Sequence, residues 1–273
     1  MDRTRLRCNY GRMYINTSRF DAYSLWDNII AAYSEASLTY GKDELIALSG
    51  MAKYMRAILQ DTYLAGHWQR YLPSQLLWTY EAPGRRPNEY RAPSWSWASI
   101  DAPPSRALSP GRTHDQDIVA VIIDINIETP TQDTTGQVTG GYIRGRGSLC
   151  TAHFHRSKDR DKRLLPRMDV TNAGSVQDGA VYEDAVDELC ESDESTDGHE
   201  YHLSVIQQRN DALRGLDGLV LQPTGLQRGQ FRRCSLLQLK YDDSETTIRG
   251  AEQESWLQYE KNHGKDCYTI TIL

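Results

Sequence analysis

The chain has 273 residues, 39% hydrophobic and 25% charged, with a formal net charge of −6. That length suffices for one large domain or two modest ones around a real core. The acidic balance without a basic tail argues against a nucleic-acid surface, and no apolar run is long enough to cross a bilayer.

The opening "MDRTRLRCNYGR" is basic but lacks the apolar segment of a secretory signal. Tyr23, Trp26, Ile30 and Tyr33 then recur at helical spacing, which predicts a helix near 19–36. Leu45, Leu48, Ala52, Met55 and Leu59 form the buried stripe of a second helix after Gly41, with Asp43 and Glu44 well placed in its first turn. A turn follows at Ala65-Gly66, and Pro73 suits the start of a short helix. After Pro87 the texture changes to strands. In "YRAPSWSWASID" (90–101) Pro93 suggests a strand beginning at or just after it, which sends Trp95 and Trp97 to one face. "DIVAVIIDINIE" (117–128) reads as a strand buried on both sides at its start and solvated at its end. "GGYIRGRGSLCTAHF" reads as a glycine-interrupted strand, "GLVLQPTGLQRGQFRRCSLLQLK" as a hairpin, "ESWLQYEKN" as helix-like, and "YTITIL" as a final strand. Residues 156–200 place opposite charge blocks around a Gly/Asn/Ser spacer, the pattern of a peripheral inserted loop. The expected fold is therefore α+β in one domain over 1–273. A helical part (18–86) packs on a mainly antiparallel sheet or barrel (90–273).

The five cysteines (Cys8, Cys150, Cys190, Cys234, Cys267) form no CxxC pair, which fits a reduced cytoplasmic chain without a disulfide frame. His153 and His155, and His199 and His202, lack a third ligand at zinc-like spacing, so no metal is expected. No nucleophile elbow, Walker loop or dinucleotide fingerprint is present. Sixteen Tyr and six Trp against three Phe give nearly every ring a polar handle, a mix suited to interfaces and ligand cavities. The rings concentrate in 63–97 as Tyr63, His67, Trp68, Tyr71, Trp78, Tyr80, Tyr90, Trp95 and Trp97, with Arg91 beside them.

Four blocks, "LTYGKDELIALSGMAKYM", "YLAGHWQRYLPSQLLW", "YRAPSWSWASID" and "GLVLQPTGLQRGQFRRCSLL", resemble in order those of fungal heterokaryon-incompatibility (HET) proteins. The resemblance runs from about residue 26 to the C-terminus and is weakest in 156–200. It covers the C-terminal half of that family, and the chain is expected to begin after the family's N-terminal signalling region. HET-like reading frames also occur in natural-product clusters, one of them associated with Diels–Alder norbornene formation in diterpenoid biosynthesis. The resemblance thus implies a cofactor-free terpenoid cyclase that holds diene and dienophile together and donates a hydrogen bond to developing negative charge. His67, Arg91 and Tyr71 are the expected donors. Tyr63, Trp68, Trp78, Trp95 and Trp97 are the expected walls around a hydrophobic small-molecule substrate, one of the paired tryptophans sealing the core. The alternative is a non-catalytic regulatory or interaction module derived from a HET protein.

Overall fold

The computed structural model describes residues 5–8, 11–14, 19–34, 43–80, 82–101, 107–108, 117–158, 164–172, 175–186, 189, 201–209, 215–240, 257–264 and 266–273. Strands β1 (Arg5–Cys8) and β2 (Gly11–Tyr14) form a hairpin ahead of the first helix. Helix α1 (Arg19–Ser34) buries Tyr23, Trp26 and Ile30 along the stripe that their spacing demands. Helix α2 (Glu44–Leu59) buries Leu45, Leu48, Ala52, Met55 and Leu59, and Gln60 ends it in the left-handed region. Ala65 and Gly66, both at positive φ (45° and 102°), join β3 (Tyr63–Leu64) to β4 (His67–Trp68), the arrangement that tight hairpin turns favour. A 3₁₀ turn over Gln69–Tyr71 leads into α3 (Leu72–Gln75), which has Pro73 in its first turn. Strand β5 (Thr79–Tyr80) pairs with β6 (Ala107–Leu108).

The fold is α+β, with its strands gathered in one large mixed sheet. Six strands pair antiparallel in a closed ring: β9 (Leu149–Lys158), β10 (Leu164–Asn172), β11 (Ser175–Glu183), β14 (Gln230–Lys240), β13 (Gly215–Pro223) and β12 (Tyr201–Arg209), which returns to β9. Strand β14 also pairs in parallel with β16 (Tyr268–Ile272), and the sheet continues outward through β8 (Gly140–Gly147) to β7 (Val121–Glu128). The short β15 (Lys261–Asn262) joins β16. One apolar core, including Phe154, Met168, Tyr201 and Leu237, draws almost wholly on the ring strands. The larger core joins the helices, the aromatic segment and β8 and β16 to the outward side of β12–β14.

Four expectations need correction. Residues 164–172 and 175–183 are not a peripheral loop but β10 and β11, with Met168 fully buried and Val181 nearly so. The charges there alternate with apolar residues at the strand period, as Arg167 and Asp169 do around Met168. Residues 159–163, 173–174, 187–188 and 190–200 lie outside the described part. No strand forms after Pro93; Ser94–Ser96 turn into a 3₁₀ helix over Trp97–Ser99, and the Ser96 hydroxyl caps the Ala98 N–H at 3.2 Å. At the start of β7, Val119, Val121 and Ile123 are 40%, 50% and 48% exposed, the reverse of the expected burial. A register shift between Ile122 and Asp124 leaves Ile123 without a β8 partner, which breaks the alternation. Finally, Leu257–Asn262 is irregular chain ending in β15 rather than helix.

Candidate functional site

Gly66 is the hub of the aromatic segment. Its carbonyl accepts the indole N–H of Trp26 at 3.0 Å and of Trp97 at 3.2 Å. One residue earlier, the Ala65 carbonyl accepts the Ser96 hydroxyl at 2.6 Å. The "PSWSWAS" segment therefore clamps the β3–β4 turn from outside. Glycine is required at 66, because a Cβ there would sit 2.4 Å from Trp97 Nε1. Trp78 Nε1 donates to the Trp95 carbonyl at 2.8 Å, and the Tyr80 hydroxyl donates to the Trp97 carbonyl at 3.3 Å. Trp68 meets Tyr63 and Trp26 edge-on, with ring centres 5.3 and 5.4 Å apart.

Most of the expected site residues do come together, but inside the core. Tyr63, His67, Trp68, Trp78, Trp95 and Trp97 are each at most 3% exposed. Tyr71 stands apart, partly buried and edge-on against Tyr23 at 4.6 Å. Arg91 is occupied elsewhere. Its Nε donates to the Ala98 carbonyl at 2.5 Å, and its guanidinium bridges Asp101 at 2.5 Å and Glu44 at 3.2 Å. Burial raises the Glu44 carboxyl to about 7, with Arg91 opposing that rise. The His67 ring lies 5.9 Å from Trp95. Burial first, and the charge of Arg233 second, lower its pKa to about 3. His67 is therefore a neutral ring near pH 7. Burial also pushes the Tyr63 hydroxyl far above its ordinary value, so it stays a phenol. Within the aromatic cluster itself, Tyr63 Oη, His67 Nε2, Trp68 Nε1 and Trp95 Nε1 are buried without a well-formed hydrogen bond.

Sequence reasoning missed the ion pair that locks the layers together. Arg233, fully buried on β14, holds both oxygens of Asp184 at 2.9 and 3.0 Å. It also donates to the Leu76 carbonyl at 2.5 Å and the Trp78 carbonyl at 2.6 Å, and lies 3.5 Å from the centre of the Trp78 ring. Its backbone N–H donates to the Ser94 hydroxyl at 3.0 Å, which in turn donates to the Leu273 carbonyl. A desolvated charge in this position is stable only because donors and acceptors surround it.

Cavities among the described residues include two that bear on the site. One of about 20 Å³ lies between β8, β16 and Leu76, room for roughly one water. The other is a surface cleft of about 410 Å³ between Gln69, Arg70 and Pro73 on one side and Ile122–Ile125 on the other, within the size range of ligand sites. None of the eight expected site residues lines either one. Among the described residues no group of three or more His, Cys, Asp or Glu side chains gathers at a point, and no helix is long and apolar enough to cross a membrane. Cys150, Cys234 and Cys267 are free thiols. No protein-family model, no curated protein and no solved structure matches the chain.

Proposed function

We propose that this chain is a non-catalytic interaction module of the HET type, which engages a partner along the cleft beside β7. The observation that carries this reading is the use made of the aromatic donors. Trp26, Trp78 and Trp97 give their N–H groups to backbone carbonyls, and Arg91 is tied to Glu44 and Asp101. Cycloaddition needs a cavity that holds the two reacting ends together, whereas these rings pack on one another. Among the described residues, the cleft beside β7 is an accessible concave surface.

The indole N–H groups of Trp68 and Trp95, buried without an acceptor, favour a second reading. In that reading the cluster opens to a terpenoid, and those atoms face its dienophile as a [4+2] cyclase requires. One experiment separates the two. Purified protein is incubated with extracts of a strain lacking its gene, and the accumulated isomers are followed by mass spectrometry. The module reading expects no conversion. Conversion that is lost in His67→Gln while the fold is kept overturns it in favour of the cyclase.

A further inference from the structure

We infer that the cleft takes an extended peptide segment carrying an acidic side chain, added as a further strand to the edge of β7; this rests on the module reading above. The lining itself points to an edge. Ile122, Ile123, Asp124 and Ile125 all border the cleft. The bulge at Ile123 interrupts the alternation here, which brings four consecutive residues to one cleft beside the strand. Strand β7 is last in the sheet and is paired with β8 alone among the described residues. An edge of this kind offers backbone donors and acceptors to an incoming chain.

The dimensions agree. Four strand residues span roughly 13 Å. The cleft of about 410 Å³ borders that length of strand on its open side. The flanking side chains set the chemistry of the occupant. Val121 and Ile123, half exposed, favour β-branched neighbours. Across the cleft, Arg70 is exposed, and its guanidinium makes no ion pair among the described residues. The acid at the cleft is already engaged: Asp124 Oδ1 accepts the Ile125 N–H at 2.9 Å, and Oδ2 accepts the Tyr142 hydroxyl at 2.8 Å. Those neutral donors occupy the Asp124 oxygens without cancelling their charge, so the group left to meet an acidic side chain is the Arg70 guanidinium on the opposite wall.

The test uses the full chain, isotope-labelled for amide NMR, and the probe acetyl-Thr-Val-Glu-Val-Thr-amide. Saturable shifts are expected in residues 121–127 and 69–71. The Gln version of the peptide should bind about fivefold more weakly, as an exposed charge pair allows. The Arg70→Gln variant should bind both peptides alike. A version with alternate amides N-methylated should not bind. Equal binding of the Glu and Gln peptides to the unsubstituted chain overturns the acidic partner and leaves the module reading standing. Equal binding of the methylated peptide overturns strand addition. Absence of shifts along β7 up to millimolar peptide overturns the proposal, while the turnover assay judges the module reading separately.

Discussion

Replacing His67 by Gln should change how stability depends on pH, by an amount that follows from the ring's burial. In the folded chain the His67 pKa lies at about 3, against an ordinary 6.5. Between those values the unfolded chain binds a proton that the folded chain refuses, so stability falls as pH drops. From pH 7 to pH 5 the linked loss is ~2 kcal/mol, at about 1.36 kcal/mol for each pH unit below 6.5. Glu44 runs the other way. Its folded pKa of about 7 exceeds its ordinary 4.5, so the folded state binds the extra proton in that window and gains stability as pH falls. The unsubstituted protein alone thus shows a flattened profile, and the His67 contribution must be read by difference. Urea unfolding of both proteins at pH 7 and pH 5 supplies it. The stability advantage of the unsubstituted chain over His67→Gln should shrink by ~2 kcal/mol between the two. An advantage that stays constant means the ring titrates normally in the folded chain, which would refute its dry environment.

Arg233→Met strands Asp184 in the core and should cost ~3–5 kcal/mol in urea unfolding, with much of the loss recovered by adding Asp184→Leu. Gly66→Ala should lose ~1–3 kcal/mol to backbone strain, with a shift in tryptophan emission as Trp97 is displaced. Thermal melts of Trp97→Phe should fall below those of Trp95→Phe by the equivalent of ~1 kcal/mol, because only the former gives up a made hydrogen bond; the reverse order would count against the clamp. Deleting residues 164–183 should abolish the folded state by circular dichroism, because the ring loses two of its six strands.

What the sequence disclosed was local. The stripes of α1 and α2, the Ala65-Gly66 turn and the β13–β14 hairpin follow from neighbours a few residues apart, and each forms where its pattern placed it. The role of the paired tryptophans was not legible, because the carbonyl that Trp97 meets lies 31 residues away. Arg233 was hidden for a different reason. The β13–β14 register steps from Leu221–Arg233 to Val220–Ser235, skipping Cys234. Simple alternation gives no sign of such a bulge. Asp184 looked like one more acid in "YEDAVDELC"; only the fold sets it against a buried guanidinium.

The closure of the ring governs how the chain reaches its native state. The β11–β14 seam joins Ala180 to Gln238 and Glu183 to Ser235, contacts between segments that β12 and β13 separate along the chain. Pairings so distant along the chain form slowly, because loop entropy is lost before any contact repays it. Until the seam shuts, β11 and β14 each present a bare rim, and a nascent molecule at high concentration meets its neighbours through those rims. Aggregation during refolding should therefore rise steeply with protein concentration and be relieved by slow dilution. Once shut, the seam hands β11 from β10, which pairs it over Ser175–Ala180, to β14, which pairs it over Ala180–Glu183.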